Sequence, residues 1–440
     1  MFERLQCFGR LVSVTGSLLE ATGVKARVGD WCWLELGAQA LPLEVVGFAG
    51  ERTLLMPLQP LEGSAPGMAV SMGEAPRFPD HRPLLGRVID AVGRPLDDGP
   101  LIPSVPGGAA AGPINPLRRA VVDQVFDVGI RAINGLLTLG VGQRVGLFAG
   151  SGVGKSVLLG MLARFSAADV VVIGLIGERG REVKEFIVDN LGEARDHCIV
   201  LAAPADDSPG LRLRAAVLAH EIAQRYRDEG RQVLLLLDSL TRVAQAQREI
   251  GLAAGEPPTS KGYPPSAFGV LPGLIERAGG LRGSGAITAI YTVLMEEDDL
   301  SDPIVDAARA VLDGHIVLSR RIAERGHYPA IDLGASISRV ANRLQDDAHR
   351  EASLRFRRWW TRYEAQADLI AVGAYEAGSD PVLDEAIARH AALADYLQQG
   401  TEAPVYAAES QASLKTVTAQ RSVPAAPVAA PVATSISATP

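Results

Sequence analysis

Apolar runs alternate with helical patterns over residues 117–345 of this 440-residue chain. The segments between the runs carry apolar residues at helical spacing. Parallel strands joined by crossover helices give this alternation, and strands without polar positions belong to a sheet that is covered on both faces. We therefore predict an α/β core built on a parallel sheet. Its predicted strands are residues 144–148, 170–176, 198–202, 233–237, 286–294 and 314–318.

Residues 1–78 have a different pattern, in which short apolar or alternating runs are separated by glycine turns. Several short strands at this spacing predict a small closed β-barrel. Trp31 and Trp33 are two residues apart and therefore share one face of a strand. We expect them to pack in the core rather than to stack on nucleic acid bases. The predicted barrel strands are residues 9–15, 31–36, 42–48 and 52–58.

The segments that flank the predicted core differ from it in composition. Residues 79–116 are rich in Pro and Gly, which predicts an ordered connection, and we place them with the core in one domain of residues 79–345. Residues 346–399 predict a helical domain whose second helix spans 381–398. Residues 400–440 are rich in Ala and Pro, and we expect a disordered tail. An apolar stripe on the first C-terminal helix consists of Leu354, Trp359, Tyr363, Ala367 and Ile370.

Charge, cysteine content and hydropathy narrow the class of protein. The formal net charge of −8 argues against a protein whose main partner is nucleic acid. The 3 cysteines form neither a metal-binding spacing nor a disulfide framework, which favours a reducing compartment. The N-terminus lacks a signal-peptide pattern, and the apolar runs are shorter than a membrane span. These features predict a cytoplasmic protein that reaches membranes only through partners.

A phosphate-binding loop is predicted between the first core strand and the following helix. Small residues lead to Gly-Lys-Ser at 154–156, where successive backbone N–H groups can point at one anion. Lys155 supplies a positive charge for the β- and γ-phosphates, and Ser156 supplies a hydroxyl for Mg²⁺. Ala149 replaces the usual first glycine, and a chance glycine-rich turn is the alternative explanation. The candidate nucleotide-binding residues are Gly150, Ser151, Gly152, Val153, Gly154, Lys155, Ser156 and Val157.

Two carboxylates follow strands at the edge where ligands of a parallel sheet bind. Asp238 follows the strand at 233–237, as in a Walker B motif, and is predicted to hold Mg²⁺, partly through water. Glu178 follows the strand at 170–176, where a carboxylate can polarise the water that attacks a phosphoanhydride. The alternatives are a helix cap for Asp238 and a surface charge for Glu178.

Five motifs together resemble one family. They are the loop at 148–156, the segments at 177–186, 237–242 and 255–266, and His-Tyr-Pro-Ala-Ile-Asp-Leu-Gly-Ala-Ser-Ile-Ser-Arg at 327–339. Over residues 5–398 the chain is similar to the ATPases of type III protein export, which are relatives of the F-type and V-type rotary ATPase subunits. This resemblance implies a β-barrel, a RecA-like P-loop core and a helical C-terminal domain, assembled as a homohexameric ring.

The resemblance also implies ATP and Mg²⁺ as ligands and a role for individual residues. Glu178 would be the base that orients the attacking water, and Arg179 would lie near the γ-phosphate. Tyr328 would stack on the adenine, and Arg339 matches the arginine finger that enters the neighbouring subunit's site. The implied partners are a stator-like regulatory protein, a central coiled-coil stalk, export chaperones with their substrates, and a membrane export gate to which the ATPase would bind peripherally.

Related functions stay open within this resemblance. Overall similarity, including the N-terminal region, favours the flagellar branch, with a virulence injectisome ATPase as the alternative. A non-catalytic rotary subunit would lack Glu178. A Rho-type RNA translocase would need a basic or aromatic RNA groove, which this acidic chain does not show. The turn at 372–381 matches the position where rotary subunits contact their stalk, and Tyr375 and Glu376 are predicted to face it.

Overall fold

An N-terminal barrel is the first unit of the fold. The computed structural model describes residues 8–419 except 16, 38, 60, 75–76, 106–113 and 296–300. The barrel strands are β1 (Phe8–Thr15), β2 (Leu18–Thr22), β3 (Trp31–Leu36), β4 (Gln39–Ala49), β5 (Arg52–Pro57) and β6 (Ala69–Gly73). They close in the antiparallel order β1-β2-β5-β4-β3-β6, with β6 paired back to β1. The predicted barrel is confirmed, although β2 and β6 were not among the predicted strands, and its residues 1–7 lie outside the described part.

The register of β3 places its tryptophans away from the barrel interior. Cys32 and Leu34 are fully buried in the barrel core. Trp31 and Trp33 are out of phase with them and only half-buried. Trp31 instead packs against the small apolar cluster that includes Ile250 of the central domain. The expectation that both tryptophans belong to the core is therefore wrong for the barrel, because the two-residue period gives the interior to the other set.

A sheet of mostly parallel strands forms the central domain. Across the sheet, the described strands follow the order β17 (Ile331–Ser338), β16 (Gly314–Leu318), β10 (Arg144–Ala149), β15 (Ala286–Leu294), β13 (Gln232–Asp238), β11 (Val170–Ile176), β12 (Cys198–Ala203) and β8 (Val88–Ile89). Strand β17 is antiparallel to β16, and β14 (Gly279–Gly280) pairs with β15. The parallel core is confirmed, and the six predicted strands differ from the observed ones by one residue at most at either end. Outside this sheet, β7 (Phe78–Pro79) and β9 (Ser104–Val105) pair with each other as a separate two-stranded sheet.

Helices cover both faces of this sheet, as the apolar strands require. The helix α1 (Lys155–Phe165) packs on one face, and α3 (Pro209–Asp228), α4 (Leu240–Ala253) and α5 (Pro265–Ile275) pack on the other. Caps set the starts of the helices that follow the strands, since Ser208 and Ser239 accept hydrogen bonds from the first turns of α3 and α4. The further helices are α2 (Gly180–Glu185), α6 (Pro303–Val311), α7 (Arg320–Ala323) and α8 (Ala341–Leu344).

Two long helices follow the core, α9 (Asp347–Ala371) and α10 (Pro381–Leu397), and pack against each other. Trp359 of the predicted stripe is buried, whereas Leu354 is 61% exposed. The stripe was therefore wrong at Leu354, because the inward row of α9 passes through Phe356 and Trp360. Tyr375 in the connecting turn is half-buried against the core, so its predicted outward orientation is also wrong.

The segment after residue 400 contains a further helix, α11 (Ala407–Val417), which packs on α9 and α10. Leu414 is fully buried, and the N–H of Ala407 donates to Asp127 Oδ2 at 2.7 Å. The predicted disordered tail is therefore wrong for its described part, residues 400–419, because a few apolar and small residues at helical spacing suffice to dock one short helix. Residues 420–440 lie outside the described part. No helix of the described residues is both long and apolar enough to cross a membrane.

Candidate nucleotide-binding and hydrolysis site

The loop between β10 and α1 has the backbone of a phosphate-binding site. Gly152 and Gly154 adopt φ of 76° and 86°, in the left-handed region that favours glycine. Since α1 begins at Lys155, the unpaired N–H groups of its first turn and the positive end of its dipole face the loop. Val153 is buried and anchors the loop, whereas Ser151 is exposed. Successive amides in such a turn form an anion-binding concavity.

Lys155, Glu178 and Asp238 come together at the end of this loop. The Lys155 Nζ lies 2.5 and 2.6 Å from the two carboxylate oxygens of Asp238. It lies 3.6 Å from Glu178 Oε1. Burial alone would lower the pKa of Lys155, but the two carboxylates outweigh it and the pKa is raised. The lysine therefore stays charged in a nearly enclosed cluster with two carboxyl groups.

Glu178 is the member of the cluster whose ionised form is disfavoured by its surroundings. Burial and the neighbouring Asp238 carboxylate raise the pKa of Glu178 to about 7, against the opposing effect of Lys155. Its Oε1 is buried and has no hydrogen-bond partner among the described residues. A carboxylate whose pKa lies near neutrality is suited to accept a proton, and its unpartnered oxygen is available to orient a water molecule.

Thr292 on β15 is a site residue that the sequence reasoning missed. Its Oγ1 lies 2.6 Å from Asp238 Oδ1, and its side chain is fully buried. The available signal was a polar residue inside the apolar run at 286–294. The pairing of that run with the Asp238 strand emerges only from the sheet order.

A cavity of about 380 Å³ lies beside the loop and is largely apolar. Tyr328 forms one wall and is 45% exposed. Its ring lies directly over Gly154, since a Cβ added there would be 3.4 Å from two ring carbons. Val157 and Met161 of α1 also line the cavity. The arrangement offers an aromatic face and aliphatic walls to a flat ring next to the phosphate loop.

Gln399 closes this cavity from the C-terminal segment and was also missed. Its side chain accepts from the N–H of Arg131 at 2.8 Å and donates to the carbonyl of Gly129 at 2.9 Å. Its own N–H donates to the carbonyl of Tyr328 at 3.0 Å. These bonds tie residues 129–131 of the core domain, Tyr328 and the C-terminal segment together. No signal in the sequence marks Gln399, because it borders a stretch whose composition resembles a linker.

The remaining predicted site residues are more exposed. Ser156 lies exposed on the first turn of α1, one residue after Lys155. The Arg179 side chain is 78% exposed and pairs with Glu182 at 3.4 Å. Arg179 thus sits at the rim of the cluster, directly after Glu178, and its surface ion pair constrains it only weakly.

Arg339 lies at the other end of the sheet. It follows β17, whose last residue Ser338 pairs with Gly314 at the start of β16. Since β16 is parallel to β10, this end is the opposite of the edge that carries the phosphate loop. The length of β10, roughly 20 Å, separates the two ends. The exposed Arg339 guanidinium donates to the carbonyl of Arg309 at 3.1 Å.

Two protein families match this chain, one over the core and one over the C-terminal helices. Residues 129–338 match the ATP synthase alpha/beta family, nucleotide-binding domain, and residues 345–416 match the T3SS EscN ATPase C-terminal domain. The chain is 54% identical over 419 residues to the flagellum-specific ATP synthase of Pseudomonas aeruginosa, with 93% of each chain covered. The chain belongs to the flagellar and type III secretion ATPase family. This export ATPase is also 47% identical over 402 residues to the type 3 secretion system ATPase of Xanthomonas euvesicatoria, with 90% of each chain covered.

Solved structures agree with this family membership. The assembled ATPase EscN from the enteropathogenic E. coli type III secretion system matches with a TM-score of 0.88 and 41% identity. The match covers 93% of this chain and 100% of that chain. Assembled EscN in complex with its central stalk EscO matches with a TM-score of 0.84, 40% identity and the same coverage. The export ATPase predicted from the sequence motifs is therefore confirmed as a nucleotide-hydrolysing enzyme of this family.

Proposed function

We propose that this export ATPase hydrolyses Mg²⁺-bound ATP to drive or prepare the export of flagellar proteins and to release them from chaperones. The observation that carries the proposal is the cluster of Lys155, Glu178 and Asp238, one cation and two carboxylates, at the end of a phosphate-binding loop. Hydrolysis needs a cation to bind the phosphates, a carboxylate to hold the metal and a base to accept a proton from water. The cluster supplies all three.

The residues present fit a magnesium ion. Mg²⁺ prefers oxygen ligands and usually combines one or two protein groups with phosphate oxygens and water. The hydroxyl of Ser156, which follows Lys155 in the chain, and the buried Asp238 carboxylate, which contacts Lys155, are such groups. We expect these two residues to hold the ion, Asp238 partly through water. When bound, the ion would neutralise charge on the β- and γ-phosphates.

The protein groups have separate tasks in the proposed reaction. Lys155 exchanges its Asp238 partner for the phosphates, since one ammonium cannot fully satisfy both. Glu178 orients water and accepts its proton, as its pKa and its unpartnered Oε1 favour. Arg179 is positioned at the rim to reach the γ-phosphate. Tyr328 stacks on the adenine in the apolar cavity.

Arg339 completes the site of a neighbouring subunit in this proposal. It lies at the far end of the sheet from its own loop, so it has no route to the phosphates of the same chain. Its exposure at that edge supports a role in the site of another copy. An arginine finger of this kind contributes about 10³-fold or more to the rate. We propose a homohexameric ring, and the assembled state of EscN supports an oligomer.

The cellular role follows from the relatives. Identity of 54% to a flagellum-specific relative exceeds the 47% to a type III secretion relative, which supports the flagellar assignment. An injectisome ATPase is the second candidate. We propose a cytoplasmic enzyme that associates peripherally with a membrane export gate. Its other proposed partners are a stator-like regulatory protein, export chaperones with their substrates, and a central coiled-coil stalk, as EscN has in EscO.

A mixing experiment tests the proposed shared site. Arg339→Ala and Lys155→Ala should each be inactive as pure proteins. Mixed rings contain some interfaces with both groups intact, so mixing should restore part of the ATPase rate. Arg343→Ala, which changes another exposed arginine near the same edge, is the matched control and should stay active alone. Mixed rings that form without any recovery of activity would place the role of Arg339 inside its own subunit.

A second experiment separates the two cellular roles. The gene is introduced into a motile bacterium that lacks its own flagellum-specific ATPase, and into a strain that lacks its type III secretion ATPase. Restored motility with no restored secretion of virulence proteins is expected. The reverse pattern would assign the chain to an injectisome.

A further inference from the structure

Thr292 lies on the strand between the two strands that carry the phosphate loop and Asp238. This strand is β15, and its neighbours are β10, which leads into the phosphate loop, and β13, which ends in Asp238. The Thr292 side chain is fully buried. Its Oγ1 lies 2.6 Å from Asp238 Oδ1 and 3.3 Å from the carbonyl of Leu237. A hydroxyl has one proton, and the shorter contact to a charged acceptor is the stronger bond.

The two oxygens of Asp238 therefore have different environments. Oδ1 accepts from both Lys155 and Thr292, whereas Oδ2 accepts from Lys155. When Lys155 turns to a phosphate, Oδ1 keeps the Thr292 hydroxyl and Oδ2 loses its protein donor. One oxygen then stays fixed and the other is left with a free lone pair.

We infer that Thr292 is a positioning residue for the metal step, because its hydroxyl holds the Asp238 carboxylate in the orientation that presents Oδ2 to Mg²⁺. The inference rests on the proposed function. Thr292 itself touches neither the metal nor the nucleotide in this assignment. Partners that orient a metal-binding carboxylate from behind typically change metal affinity by about 10- to 100-fold when they are removed.

A purely structural role is the competing explanation. In that case Thr292 would only satisfy a buried carboxylate, and its loss would lower stability without changing the response to Mg²⁺. Thr288 on the same strand provides a matched control. It is also buried, and its Oγ1 accepts from the N–H of Gly142 at 2.9 Å. Four residues along a strand place it about 13 Å from Thr292, away from the cluster.

The test measures nucleotide binding rather than activity. The full-length variants Thr292→Val, Thr292→Ala, Thr292→Ser and Thr288→Val are titrated with ADP by calorimetry, once with Mg²⁺ and once with EDTA. Thr292→Val keeps the shape and removes the hydroxyl. We expect the affinity gain on adding Mg²⁺ to fall about tenfold or more in this variant, with the EDTA affinity unchanged. Thr292→Ser and Thr288→Val should keep the gain of the wild type.

Each result decides the question. A full Mg²⁺ gain in Thr292→Val, whatever its melting temperature, would overturn the inference. If Thr292→Val fails to fold, Thr292→Ala removes the same hydroxyl from a smaller side chain, and the same comparison applies to it. A wild type that binds ADP equally well with Mg²⁺ and with EDTA would instead overturn the proposed metal site, and the positioning role with it.

Discussion

Lys155 and Asp238 form an ion pair in which the ammonium nitrogen lies 2.5 and 2.6 Å from the two carboxylate oxygens. One is the predicted phosphate-binding cation and the other the predicted metal-binding acid. Each neutralises the other in this arrangement, which makes the burial of both tolerable. Nucleotide binding must replace this ion pair with contacts from Lys155 to phosphate and from Asp238 to metal. Breaking the pair therefore adds a free-energy cost to nucleotide binding.

Separate roles for Lys155 and Glu178 lead to the first prediction. Lys155→Ala should lose at least about tenfold in ATP affinity, because the charged hydrogen bonds to phosphate disappear. Glu178→Gln keeps the shape and should bind ATP normally but hydrolyse it about 10² to 10⁴ times more slowly. Calorimetry and steady-state kinetics measure the two effects. Equal loss of ATP binding in both variants would contradict the assignment.

The raised pKa of Glu178 gives a prediction about pH. The pKa in the folded protein is about 7, above its ordinary 4.5, so the folded state holds a proton that the unfolded state has released. Stability therefore falls as pH rises from about 4.5 to 7, and the loss persists above 7. Glu178→Gln removes this pH-dependent loss of stability. The variant should raise the melting temperature by about 2 °C or more at pH 8, and by much less at pH 4.

The ATPase activity should also depend on the ionisation of Glu178, but it should rise with pH where the stability falls. The ionised form of Glu178 accepts the proton, so kcat/KM should rise with pH through about 7. Asp189→Asn, on the exposed surface of the segment that follows, is the control and should keep the wild-type profile. A flat profile between pH 6 and 8 in the wild type would argue against Glu178 as the base.

Two truncations test the C-terminal segment. Removal of residues 420–440 should leave the melting temperature and ATPase rate nearly unchanged, because this Ala/Pro-rich stretch cannot bury a core. Removal of residues 405–440 also deletes α11 with the fully buried Leu414. That deletion should lower the melting temperature by several degrees, in line with the roughly 2 to 5 kcal/mol that a buried leucine side chain contributes. Equal melting temperatures for the two truncated proteins would show that α11 does not stabilise the body.

The turn between α9 and α10 carries a prediction about the stalk. The Tyr375 hydroxyl lies 2.8 Å from Asp384 Oδ1, so this side chain stabilises the turn. Val372 is 76% exposed, and Glu376 is also exposed. Val372→Asp combined with Glu376→Lys should weaken binding of the stalk protein of the same export system and leave basal hydrolysis intact.

A pull-down at matched ring concentration measures this effect on stalk binding. Tyr375→Phe is the control, since it keeps the ring against the core and alters only the turn's hydrogen bonds. Undiminished binding by the double variant would leave the turn as a connection between two helices.

Residue patterns along the chain predicted the barrel, the parallel core and the principal groups of the site. The strands could be located closely because apolar runs that are covered on both faces have few other structures available. Lys155, Glu178 and Asp238 could be predicted to converge because the carboxyl ends of parallel strands meet at one edge. Local pattern and topology rules are sufficient for such residues.

The residues that support these groups can be identified only from the folded chain. Thr292 becomes a partner of Asp238 only through the order of β13 and β15, which the sequence does not specify. Gln399 joins Tyr328 across some 70 positions of chain, next to a stretch whose composition predicted disorder. Docking of α11 and the outward face of Trp31 depend in the same way on surfaces supplied by distant segments. Pairing between distant segments is a collective result of packing, and no local pattern of residues records it.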